Sequence, residues 1–285
     1  MSRYILILVT MLALVTISCG IGVKLPITKA TPSPEVTDQI QVAVPKPGET
    51  TRLRLSFGAG EMTLSPGAEN MLVSGTVTYN IPDFKPEIKT EGTDVRIKQG
   101  DYTFTGIPSF TGIKNEWELK LGDVPMELTI QAGAYDAEYK FGGLALTNLT
   151  VQDGASDVTL DFASPNKSEM AVLRYETGAS NVKLTGLGNA NFNTLVFKSG
   201  AGDYTLDFSG TLKRNGTVMI ETGLSNLILV IPEGVPAQVT VDAGLANVNA
   251  GSNWTQNGDL YTQGGSGPNL TFVINIGAGN LTLTK

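Results

Sequence analysis

Residues 154–162 read GASDVTLDF, and residues 200–208 read GAGDYTLDF. Each stretch carries two carboxylates, Asp157 with Asp161 and Asp203 with Asp207, so the pair could be a duplicated site. Aligning the rest of the chain on the leading glycine gives another answer. Copies stand at Gly58, Gly133, Gly154, Gly178, Gly200, Gly223, Gly244 and Gly277. From Gly133 to Gly244 the steps are 21, 24, 22, 23 and 21 residues, a period at which each repeat forms one coil stacked on the last.

Each copy has apolar residues five and three before the glycine and four and six after it. Around Gly178 these are Leu173 and Tyr175, then Val182 and Leu184. Alternation within each half marks a strand with one buried face. Between the halves the spacing is odd, which would send the second set to the opposite face of a straight strand. The chain must therefore bend at the glycine, where Gly-Ala/Leu-Gly/Ser-Asn/Asp tolerates positive φ and Asx-type turns. Of the 32 positions so defined, only Ala137 and Ala250 are as small as alanine. Burial of the larger side chains contributes roughly 1.5–3 kcal/mol apiece, enough to offset chain entropy only if the coils stack continuously.

The stretches LRLSFGAGEMTLSPG (53–67), WELKLGDVPMELTIQAGA (117–134), LALTNLTVQDGASDVTLDFASPN (144–166) and the closing NIGAGNLTLTK resemble the toast-rack family of bacterial proteins, DUF2154-type, related to the C-terminal domain of LiaF-type cell-wall stress proteins. The resemblance implies an all-β, right-handed single-stranded β-helix and a membrane-associated envelope role. LiaF-type proteins carry transmembrane helices ahead of this domain and regulate a sensor kinase. Here only a lipid anchor is expected, so that regulatory role does not transfer.

The N-terminus carries the anchor signal. One positive charge in MSRY precedes ILILVTMLALVTIS, and the sole cysteine, Cys19, follows directly. Thr16-Ile17-Ser18-Cys19 is similar to a lipobox, with Thr16 where Leu is commonest. The apolar run is shorter than the roughly 20 residues of a spanning helix. The expectation is a signal peptide over 1–18, lipidation at Cys19 on the extracytoplasmic face of a bacterial membrane, and a Pro-rich tether over 19–49 whose second half could hide a strand near Gln39–Val44. An N-terminal β-domain is expected over 50–125 and a β-solenoid domain over 126–285. The latter ends in a cap containing Trp254 and Tyr261, which could instead stack on a ligand.

The position three after each glycine is acidic or Asn: Glu61, Asp136, Asp157, Asn181, Asp203, Asn226, Asn247 and Asn280. Stacked on one edge, adjacent carboxylates would repel unless offset, protonated or bridged, and calcium at Asp136, Asp157 and Asp203 is the candidate ion. From Asn181 onward Asn mostly replaces Asp, which fits a neutral amide ladder better.

Several function classes are excluded or weakened. The net charge is −7 without a Lys/Arg cluster, which gives no reason to expect nucleic-acid binding. There is no histidine, so His-based triads and most zinc sites are absent. No phosphate loop or other cofactor motif occurs. The carboxylate pairs recur as polar alternates of a periodic strand, and the expectation is a protein that is not an enzyme. Two readings remain: a lipid-anchored envelope surface for adhesion, scaffolding or protein binding, and a carbohydrate-binding or carbohydrate-active β-helix. An accessory role to an envelope-stress sensor rests on the resemblance alone.

Overall fold

The computed structural model describes residues 27–29, 32–101, 107–109 and 112–285. The expected signal peptide and Cys19 lie outside the described residues. The strands of the first part of the chain are β1 (Ile27–Lys29), β2 (Val36–Ala43), β3 (Thr51–Pro66), β4 (Met71–Tyr79), β5 (Pro86–Glu91), β6 (Asp94–Gln99), β7 (Ile107–Ser109), β8 (Asn115–Leu121) and β9 (Met126–Lys140). Then follow β10 (Leu146–Gln152), β11 (Ala155–Asp161), β12 (Met170–Thr185), β13 (Phe192–Asp207), β14 (Gly216–Val230), β15 (Ala237–Asp242), β16 (Leu245–Ala250), β17 (Thr255–Asn257), β18 (Leu260–Gln263) and β19 (Leu270–Thr284). Two 3-10 turns, Pro82–Phe84 and Leu187–Ala190, are the only helical elements among the described residues. No helix there is long and apolar enough to cross a membrane. The all-β class therefore holds. β1 and β7 pair with each other in parallel as a unit of their own, and the remaining strands form a second compact unit.

In the larger unit the repeat copies lie side by side in parallel register. Ala134 pairs with Ala155, Ala155 with Ala179, Ala179 with Ala201, and Ala201 with Leu224. All of the inward positions expected from the repeat are buried except Ala137, Val248 and Ala250. Within β12 the buried set runs Leu173, Tyr175, then Ser180, Val182, Leu184, so the phase of burial flips across Gly178. The change of phase read from the odd spacing is there.

The expected positive φ falls at the third residue of the motif where that is glycine, at Gly60, Gly202 and Gly279. Positive φ occurs at only one of the eight motif glycines, Gly244. Six of the other seven share crowding by backbone, Gly58 meeting the Gln99 side chain instead: a Cβ on Gly133 would lie 2.4 Å from the carbonyl oxygen of Gly58, and one on Gly178 2.4 Å from that of Gly154. The same holds for Gly200 against Gly178 (2.7 Å), Gly223 against Gly200 (2.5 Å) and Gly277 against Gly223 (2.8 Å). Glycine is needed here because each neighbouring backbone occupies the space of a side chain.

The copies do not all stack in chain order. β19 pairs with β14 along its whole length, Leu224 facing Ala278, and β15 and β16 pair with the far side of β19. The copy at Gly277 thus sits inside the stack and the copy at Gly244 outside it. Side-chain volume explains the exchange: Phe272, Ile274, Leu281 and Leu283 of β19 are all buried, whereas β16 offers only Val248 and Ala250 to a core. The weaker copy takes the edge. Antiparallel β18 then covers β15, and β17 covers β18.

At the other end, β3 pairs with β9 over thirteen positions although 75 residues separate Gly58 from Gly133. The intervening chain lays β6 and β8 on the two halves of β3, followed by β5 on β6 and β4 on β8, and the earlier strand β2 pairs with β4. The boundary expected at 125/126 falls between β8 and β9, both bonded to β3. Val36–Ala43, inside the segment expected as a tether, is strand β2, with Ile40 and Val42 buried.

Gly178→Ala is expected to lower stability by about 1–3 kcal/mol in urea unfolding, because backbone must shift to admit the methyl. Gly264→Ala, which meets nothing within 4 Å, should change stability by no more than about 0.5 kcal/mol.

Candidate binding furrow along the glycine column

A furrow runs across the rungs and reaches the motif glycines Gly244 and Gly277. Its volume is 760 Å³, and Glu176, Lys198, Glu221, Asn275 and Asp242 line one rim, with Thr177, Ser199 and Thr222 beside the glycines. The rim residues are Cα partners on successive strands, Glu176 with Lys198, Lys198 with Glu221, Glu221 with Asn275, and Asn275 with Asp242. They bond along the row. Gln152 Nε2 donates to Glu176 Oε2 at 2.9 Å, and Lys198 Nζ meets Glu221 Oε2 at 2.5 Å. The Gln152 amide and then the Arg174 guanidinium hold the Glu176 carboxyl below its usual range. Across the glycines the next position is alanine in six copies, but Leu224 and Leu245 replace it and are 63% and 87% exposed.

Beneath one end of the furrow lies a polar knot that the repeat pattern did not reveal. Asp153 Oδ2 accepts from Tyr175 at 2.8 Å and from Tyr135 at 3.3 Å, while Thr177 Oγ1 bonds Asp153 Oδ1. Tyr139 donates to the Tyr135 hydroxyl at 3.2 Å. Burial, with the Asp153 charge added, pushes the Tyr175 hydroxyl well above its ordinary value of 10.0, and burial likewise raises Tyr135 and Tyr139. Asp153 precedes its glycine, where other copies place Phe57, Ala132, Thr177 or Ser199, so spacing alone gave it no role.

The calcium candidates do not converge. Asp136 and Asp157 are exposed Cα partners on neighbouring strands, but Asn181 separates Asp157 from Asp203. Asp203 Oδ1 instead accepts from Asn226 Nδ2 at 2.7 Å, and Asn226 Oδ1 accepts from Asn280 Nδ2 at 2.8 Å. This is the amide ladder. Among the described residues no three carboxylate, thiol or imidazole groups come together to hold a metal ion. Trp254 and Tyr261, at 9% and 6% exposure, are buried at the covered end, so neither presents a free ring face for a ligand to stack on. The aromatic stacking site expected there gives way to the cap.

The family model described as the N-terminal domain of toast_rack, DUF2154, matches residues 31–184. No curated protein matches the chain. Among solved structures, a candidate cell adhesion protein from Clostridium sporogenes is 22% identical, with 89% of this chain and 99% of that one covered and a TM-score of 0.47. A candidate adhesin from Bacteroides fragilis is 13% identical over 90% of this chain and 99% of that one, with a TM-score of 0.42. A candidate lipid-binding protein from Parabacteroides distasonis is 9% identical over 90% and 100%, with a TM-score of 0.35.

Asp153→Ala strands the buried Tyr175 hydroxyl and is expected to cost about 1–3 kcal/mol in urea unfolding, against no more than about 0.5 kcal/mol for exposed Asp157→Ala. The raised tyrosines contribute stability that is complete below the unfolded tyrosine value near 10 and lost as pH rises through it, since the unfolded chain releases those protons first. The urea midpoint should therefore fall from pH 9 to pH 11, and Tyr175→Phe should flatten that fall.

Proposed function

The chain belongs to the toast-rack family, and from that premise we propose that it is a lipid-anchored, non-catalytic protein of the bacterial cell envelope whose stacked strands present a rigid surface for adhesion or scaffolding. In this reading the parallel rungs are coils of a right-handed β-helix with a period of about 22 residues, and Cys19 carries the lipid on the extracytoplasmic side.

The observation that carries the proposal is the furrow. It runs across successive rungs in an open, shallow course, bordered by paired charges and hydroxyls, and Leu224 and Leu245, each one residue after its motif glycine, are exposed on the same stack. A long furrow of this kind suits an extended partner more than a small substrate, which prefers a concave pocket with a few convergent polar groups. Exposed leucines beside polar rims are also the composition of a contact surface. Its lining holds no aromatic ring, so a neutral sugar would find no stacking platform in it.

Metabolic labelling with a fatty-acid precursor is expected to mark the wild-type protein and leave Cys19→Ala unmarked. Equal labelling of the two would remove the anchor from the proposal. Incubation of the purified chain with cell-wall and plant polysaccharides is expected to release no fragments, and cleavage abolished by substitution of one Asp or Lys would replace a binding surface with an enzyme.

A further inference from the structure

The outer face of the half-strands built on β3 carries a row of like charges. Arg54 of β3 is the Cα partner of Arg96 of β6, and Arg96 is the partner of Lys89 of β5. All three side chains are exposed. They follow one another at the separation of neighbouring strands, about 4.8 Å. Some other outer rows set opposite charges against each other, as in Lys198 with Glu221 and Arg52 with Asp94. Among the described residues none of Arg54, Arg96 and Lys89 has a carboxylate within ion-pair distance. In a chain of net charge −7, these three neighbouring cations stand outside every ion pair of the described residues.

The neighbours of the row sharpen this. Arg52 donates through Nε to Asp94 Oδ1 at 2.8 Å and through Nη2 to Asp94 Oδ2 at 2.7 Å, a fork that occupies that carboxylate. Glu127 is the Cα partner of Arg52 on the other side. Asp94 is thus forked by Arg52, and although its charge also acts on Arg96 and Arg54, neither of those guanidinium groups forms an ion pair among the described residues. A hollow of 120 Å³ lies among Arg52, Arg54, Asp94, Arg96, Glu127 and Thr129, large enough for a carboxylate between the two free guanidinium groups. The row on one side is acidic, with Glu127, Asp94 and Glu91, so the positive potential is a line and not a disc.

We propose that the row Arg54–Arg96–Lys89 binds a linear acidic polysaccharide carrying one carboxylate per sugar, laid across the strands with its carboxylates on successive cations. A line of charge fits a linear polyanion better than the plane of a membrane, which would also meet the acidic row. The spacing of the strands is about that of sugars along a glycan, whereas a polyphosphate sets its charges closer together. Planar guanidinium groups match carboxylates in paired hydrogen bonds. The inference rests on the binding-surface reading above and is independent of the lipid at Cys19 and of the furrow.

Binding of the full chain in detergent to polygalacturonate, to polyphosphate, to a neutral glucan and to vesicles containing anionic phospholipid tests it. Polygalacturonate should bind most tightly, with affinity falling as salt rises. Arg54→Ala with Arg96→Ala should weaken binding by roughly tenfold or more with the urea midpoint unchanged, equivalent to about 1.4 kcal/mol. Arg54→Lys with Arg96→Lys should recover part of it, and Lys183→Ala, on another face, should leave it intact. No binding to polygalacturonate, equal binding by the double alanine variant, or preference for polyphosphate or vesicles would each overturn the proposal. None of these outcomes bears on whether Cys19 is lipidated.

Discussion

The structure depends on one close approach, that of seven of the eight motif glycines to the carbonyl of the glycine on the neighbouring rung. With a Cβ the distance would be 2.4–3.0 Å from Gly133 to Gly277, too short for any side chain. That contact lies where the burial phase of the strands flips. With the glycines aligned, the apolar residues before them face one another along one half of the stack, and those after them along the other half.

A stack locked in this way separates the duties of its faces. Inside, residues must fill volume, and rings such as Tyr175 and Phe197, stacked 5.7 Å apart, do so. Where the core meets the motif glycines, hydroxyls enter it, and Asp153 satisfies them from the neighbouring rung. Outside, side chains on successive strands touch only their row, so each row can carry its own chemistry without disturbing the fold. The Asn ladder from Asp203 to Asn280, the charged rim from Glu176 to Asp242 and the cationic row from Arg54 to Lys89 are three such rows.

Much of this was legible in the sequence because the repeat unit is short and its signals are strong. Glycine spacing located the changes of phase, and period-two alternation identified all but three inward residues correctly. The exchange of the last two copies was not legible, since spacing places the Gly244 copy next to Gly223 while the deciding factor is how well each copy fills the core. Phe272 and Leu283 outweigh Val248 and Ala250 there, and the 19 residues from Gly251 to Asn269 give the chain length to return. The cationic row was hidden for a different reason. Arg54, Lys89 and Arg96 come from three strands, with antiparallel β5 reversing direction, so no run of basic residues appears in the chain.

The order of strands around β19 is the point at which the account and a simple sequential stack diverge most. Oxidative cross-linking of cysteine pairs in a Cys19→Ala background reads it directly, because a disulfide needs Cα atoms about 4.4–6.8 Å apart. Leu224→Cys with Ala278→Cys, and Ala278→Cys with Leu245→Cys, join paired positions on neighbouring strands and should form disulfides. Leu224→Cys with Leu245→Cys, two strands apart, should remain reduced. A disulfide in that last pair, with none between positions 224 and 278, would contradict the stack described for this chain.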